Sequence, residues 1–142
     1  MKVVVEDVIG RAKTLYSNGL CCSESIIVAF AETVKVDNPN TLMKASSGLC
    51  GGLGYGELCG ALSASACGLG LYFGRYDIEN APKIKCSMLS KELAAAFKDK
   101  FGSCRCDDLT AGMEKGSTQQ REKCTKIIEE SVKIAARIIN KN

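Results

Sequence analysis

The stretch from Ser47 to Arg75, SGLCGGLGYGELCGALSASACGLGLYFGR, limits what this chain can fold into more than any other. Its first part, Gly48 to Gly56, has five glycines in nine residues, so its backbone reaches positive φ and can pass close to other groups. Its second part reads as a helix beginning near Glu57, with Cys59 in the first turn. Unpaired backbone N–H groups and the positive end of the helix dipole favour a thiolate there, so Cys59 is the first candidate for a reactive or ligating sulfur. At helical spacing Cys59 is followed by Leu62, Ser63, Ala66, Cys67 and Gly70, a stripe of mostly small side chains carrying two sulfurs. Such a stripe admits a cofactor or a second backbone. It equally suits a central helix packed tightly by its neighbours, with cysteine acting as a small hydrophobe.

Apolar periodicity predicts helices on both sides of this stretch. Val5, Val8, Ile9, Ala12, Leu15 and Tyr16 recur at three and four, which gives a first helix to about Ser17, ended by Asn18-Gly19. A second helix opens at Cys22 with Cys22, Ile26, Ala29, Phe30 and Thr33 on one face. A third runs from Pro39 to Ser46 with Asn38 as N-cap. A fifth covers Ala81 to Lys100 through Ile84, Met88, Leu89, Leu93, Ala96 and Phe97, with Pro82 confined to its first turn. Cys104-Arg105-Cys106 falls in a connector. The last helix starts at Ser117, paired with Gln120 as a capping box, and buries Cys124, Ile127, Ile128, Ser131, Ile134, Ala135, Ile138 and Ile139. No alternating β pattern appears. The expectation is one all-α domain over residues 1–142, a bundle-like arrangement of five or six helices with the glycine/alanine-rich helix at its centre.

A chain of 142 residues can bury a core without metals or disulfides, so any metal here would be functional as readily as structural. Nineteen basic against 16 acidic residues, with no basic run interleaved with aromatics, gives no sign of nucleic-acid binding. The uncharged run after Glu57 is shorter than the ~20 apolar residues a membrane span needs. The opening MKVVVEDVIGRAK has acidic Glu6 and Asp7 after a short apolar run, unlike a signal peptide, and a cytoplasmic location is expected. In that reducing compartment nine cysteines point to metal binding or catalysis rather than a disulfide framework. The absence of histidine excludes His-ligated haem, Cys2His2 zinc and His-based acid–base chemistry.

Cys22, Cys59 and Cys124 each fall near a helix start, on or beside an apolar face, and Cys106 lies on the connector. Gathered at one end of a bundle, the four would suit an iron–sulfur cluster or, second to it, zinc. No C-x-x-C pair occurs, so such a site has to be assembled from distant segments, and scattered packing cysteines are the alternative. A different chemistry is also open: a thiol–disulfide oxidoreductase or peroxide-reducing protein with Cys59 as the attacking sulfur and another cysteine resolving, Cys22 being the second catalytic candidate. A third reading is a non-catalytic helical interaction module. Glu24 and Glu57 stand where they could carry protons, or simply complement helix dipoles. Gly52 to Gly56 lacks the preceding strand and following lysine of a nucleotide loop. Tyr55 and Tyr72 read as packing or surface aromatics.

The chain resembles the C_GCAxxG_C_C family, described as redox-active, which is distantly similar to the N-terminal part of split-Soret cytochrome c. The residues that carry the resemblance are Asn18-Gly19-Leu20-Cys21-Cys22, the glycine loop with Cys59-Gly60-Ala61, Phe101-Gly102-Ser103-Cys104-Arg105-Cys106, and Arg121-Glu122-Lys123-Cys124. It implies that the family's four named cysteines fall on Cys22, Cys59, Cys106 and Cys124. The final glycine of the Cys-Gly-Ala-x-x-Gly pattern is Ala64 here, which puts a very close contact at that position in doubt. The resemblance implies redox activity without settling a reaction; an iron–sulfur or other metal centre is the part that could carry over, with a redox partner it does not identify. Haem does not transfer, because the chain lacks histidine and C-x-x-C-H. The small-residue face of the glycine/alanine-rich helix leaves room for a close homodimer.

Overall fold

The structure, a computed structural model, describes residues 2–78 and 83–142. Among the described residues it contains seven α-helices and no strand. Helix α1 (Val5–Ser17) has Glu6 and Asp7 in its first turn and buries Val8, Ile9 and Ala12. It ends where Gly19 takes φ +111°, as the Asn18-Gly19 pair predicts. Helix α2 (Cys22–Val34) is buried almost all round, from Ser23 and Ser25 through Ile26, Ile27, Val28, Ala29, Phe30 and Ala31. Helix α3 (Pro39–Ser46) has Pro39 at its start, although the side chain of Asn38 makes no capping bond.

A 3-10 turn (Ser47–Leu49) and a five-residue π-turn (Gly52–Gly56) lead to α4 (Gly60–Phe73). This helix begins after Cys59 rather than near Glu57, so Cys59 is its N-cap. The cause is a non-local pairing that holds Glu57–Cys59 extended. Leu58 bridges Arg105 in antiparallel fashion, the Cys59 N–H donates to the Cys104 carbonyl at 2.8 Å, and the Cys106 N–H donates to the Glu57 carbonyl at 2.7 Å.

Helix α5 (Lys83–Phe101) buries Leu89, Leu93 and Phe97, whereas Met88, expected on that stripe, is 63% exposed. The predicted opening at Ala81-Pro82 and the Ile84 side chain lie outside the described residues. The expected connector after Cys104 contains a one-turn helix, α6 (Cys106–Leu109), which raises the number of helices to seven. Helix α7 (Thr118–Lys141) is capped by Ser117, whose side chain accepts from the Gln120 N–H. The reciprocal bond is displaced by one residue, since Gln120 Oε1 accepts from the Gly116 N–H at 2.6 Å.

Helix α4 packs against α2, α5 and α7, and α2 packs against α1, α3 and α4. Phe30, Phe97, Ile26, Leu69, Leu93, Ile128 and Val132 fill the middle with almost no exposure. Gly68 lets the Phe30 ring close onto α4, since a Cβ there would meet that ring at 2.6 Å. Gly68, at least, is thus used against α2 within the chain, while Gly70 has no atom within 4 Å of the place its Cβ would occupy. Ala64, at the departure from the family pattern, is fully buried in this core. No helix among the described residues is long and apolar enough to cross a membrane.

Candidate metal or redox centre

Four elements each deliver one of the predicted cysteines to a single cavity of about 290 Å³. Cys22 is the first residue of α2, Cys59 the N-cap of α4 and Cys106 the first residue of α6. Cys124 comes from α7, in its second turn rather than its first. The glycines set the approach of these elements. A Cβ on Gly60 would sit 2.8 Å from Cys22 Sγ and 2.9 Å from the Leu49 carbonyl oxygen, and one on Gly52 would lie 2.9 Å from Cys106 Cβ.

Backbone donors face the sulfurs, as expected of helix starts. N–H groups of Gly51 and Ser23 point at Cys22, and those of Leu62 and Ala61 point at Cys59. Burial nevertheless outweighs them. Removal from water pushes the Cys22 thiol up to about 11 and the Cys59 thiol up to about 12. The thiols of Cys106 and Cys124 are also raised, again chiefly by burial. The thiolate activation expected for Cys59 is thus reversed: the donors of a helix start do not by themselves offset desolvation of the sulfur.

The sulfurs are neighbours. Cys22 interacts electrostatically with Cys124 and Cys106, Cys59 with Cys22 and Cys106, and Cys124 with Cys106. Yet no three of the four bring their donor atoms within 4.8 Å of one another. Among the described residues that condition is met by Cys21, Glu24 and Cys50. A single tetrahedral zinc needs its sulfurs about 3.8 Å apart, given Zn–S bonds of ~2.3 Å. A cluster, which spreads four thiolates over several irons, accepts the wider spacing.

Tyr16 and Arg121 complete the wall and were not singled out from the sequence as site residues. The Tyr16 hydroxyl faces Cys124, and burial first, then the Cys124 charge, raises its pKa to about 12. The Arg121 guanidinium lies 4.9 Å from the Tyr16 ring centre and places positive charge beside Cys124. The available signal was the apolar stripe of α1, which holds Tyr16, and the position of Arg121 one helical turn before Cys124.

Other predicted groups lie elsewhere. Cys67, grouped with Cys59 by helical spacing, is exposed and faces Cys86 on α5. Glu57 pairs with Arg105, and neither it nor Glu24 lines the cavity. Tyr55 is 80% exposed, and the Tyr72 hydroxyl is bonded to Thr33. Cys21 and Cys50 form a disulfide, a pairing that the reducing-compartment argument did not anticipate.

A family model described as "Putative redox-active protein (C_GCAxxG_C_C)" matches residues 20–138. An uncharacterized protein of Archaeoglobus fulgidus is 30% identical, with 80% of each chain covered. No solved structure matches.

Proposed function

This chain belongs to the C_GCAxxG_C_C family, and from that premise we propose that Cys22, Cys59, Cys106 and Cys124 together hold an iron–sulfur cluster used for electron transfer. The observation that supports this reading is the delivery of four sulfurs, from four sequence-distant elements, to one cavity. Four cysteine thiolates are the usual ligand set of such clusters, and the sulfur spacing suits a cluster better than a lone zinc ion. Such a group would supply one-electron chemistry at this site. The chain's own residues would bind and tune it: N–H groups of Gly51, Ser23, Leu62 and Ala61 face the sulfurs, Tyr16 presents its hydroxyl to Cys124, and Arg121 offsets negative charge. Leu109 and Ile127 limit water at the same wall.

A cytoplasmic setting belongs to this proposal, because a reducing compartment would keep Cys22, Cys59, Cys106 and Cys124 available as ligands. Its redox partner is a one-electron carrier. The alternative, with Cys59 as an attacking thiol, is disfavoured by the burial of that sulfur at 6% exposure.

The test is anaerobic purification followed by iron, zinc and acid-labile sulfide analysis with a visible spectrum. Iron and sulfide in matching amounts, lost in Cys59→Ser, are expected. A colourless protein with neither would overturn the cluster reading.

A further inference from the structure

Cys21 and Cys50 stand apart from the four-cysteine set, and their surroundings are built for two oxidation states. In the oxidised state they form a disulfide between the N-cap of α2 and the segment that follows the 3-10 turn. Ser23, fully buried, places its Oγ 3.3 Å from Cys21 Sγ and 3.2 Å from Cys50 Sγ. A hydroxyl has one proton and two acceptor lone pairs. Ser23 donates that proton to the Ser46 carbonyl at 2.9 Å, so what it turns toward the sulfurs is acceptor capacity. A disulfide has no S–H to donate into it, whereas two thiols do. The buried hydroxyl is therefore fully satisfied only when the pair is reduced.

A second contact holds the two sulfurs together when the covalent bond is absent. Glu24 accepts from the Cys21 N–H at 2.9 Å through Oε1 and from the Ser47 hydroxyl at 2.6 Å through Oε2. Its carboxylate thus spans the two segments that carry the cysteines. A dithiol kept in register this way recloses readily, because the second sulfur is at high effective concentration. Both cysteines are half-buried, within reach of a thiol from solvent.

We propose that Cys21 and Cys50 are a reversible two-electron disulfide–dithiol centre that exchanges with external dithiols, with Ser23 and Glu24 as its positioning residues. In the exchange, a thiolate of the external dithiol attacks one protein sulfur, and the other leaves as a thiolate and takes a proton. The second external thiol then displaces the mixed disulfide. Overall the external dithiol becomes a disulfide, Cys21 and Cys50 become thiols, and two electrons and two protons pass to the protein. This centre needs no metal in the neighbouring cavity. It does touch that cavity: Cys21 lies on its wall, and Gly51, the residue after Cys50, directs its N–H at Cys22.

The experiment equilibrates the purified protein in glutathione buffers from fully reducing to fully oxidising. Each sample is quenched in acid, denatured and alkylated, and Cys21 and Cys50 are mapped by peptide mass. The two are expected to lose alkylation together, at the same glutathione ratio from either direction, as a Cys21–Cys50 disulfide peptide, and in Cys50→Ser Cys21 should be found only alkylated or as its glutathione mixed disulfide. Ser23→Ala should shift the equilibrium about tenfold toward the disulfide, since the reduced form loses its acceptor. Full alkylation at every ratio, or a disulfide that resists excess dithiothreitol in the folded protein, would overturn the proposal. An unmoved equilibrium in Ser23→Ala would remove Ser23 from it. Iron and sulfide are assayed on the same protein before the acid quench, so failure of the cluster reading and failure of this one are read separately.

Discussion

At Gly60 the absence of a side chain decides whether α4 can reach α2. A methyl there would meet Cys22 Sγ and the Leu49 carbonyl oxygen, both inside normal contact distance, and the carbonyl cannot swing aside as a flexible side chain would. Gly60→Ala is expected to cost about 1–3 kcal/mol, as overpacking of a tight core does. Gly70, on the same helix, is the control, because nothing lies within 4 Å of the place its Cβ would occupy. Gly70→Ala should stabilise by about 0.5–1 kcal/mol through helix propensity alone. Urea midpoints of the two variants test this, and equal effects would show that the close approach at Gly60 is not what limits α4.

The glycine loop shows at the element scale which readings sequence supports. Gly51, Gly52, Gly54 and Gly56 all take positive φ, as the glycine density implies, but Leu53 joins them at φ +64° while 59% exposed. A left-handed leucine costs about 1–2 kcal/mol, partly offset in a glycine variant by the greater freedom of the unfolded chain. Leu53→Gly should therefore stabilise by about 0.5 kcal/mol. Gly52→Ala should destabilise by more than about 2 kcal/mol, since its Cβ would sit 2.5 Å from the Glu57 carbonyl. Chemical denaturation of both variants checks the ordering, and a neutral Gly52→Ala would contradict the loop geometry. The helices with local signals, α1 with its Asn18-Gly19 stop and α3 with Pro39, were legible because their ends are set by adjacent residues. The start of α4 was not, because it depends on Leu58 meeting Arg105, a pairing invisible to helical periodicity. For the site, the cysteine positions at or near helix starts were legible. The dominance of burial over the helix dipole, and the Cys21–Cys50 pairing, depend on how segments distant in sequence come together.

Across the whole molecule, the four cavity cysteines come from α2, the start of α4, α6 and α7, so an occupant bound to all of them ties together four elements, of which the starts of α4 and α6 are already joined by backbone hydrogen bonds. Anything that binds the folded chain and not the unfolded one adds stability by mass action, about 4 kcal/mol when present at roughly a thousand times its dissociation constant. For a chain of this size that corresponds to a rise in Tm on the order of 10 °C. Protein carrying iron and sulfide is thus expected to melt about 10 °C above the same protein stripped by chelation under anaerobic conditions. Cys106, half-buried and at the edge of a one-turn helix, is the position where a ligand can be removed with least damage to the core. Cys106→Ser should abolish most of that difference while leaving the melting of stripped protein nearly unchanged. Equal melting temperatures for loaded and stripped protein, with iron present in the first, would mean that the metal sits on one element and does not bridge the four.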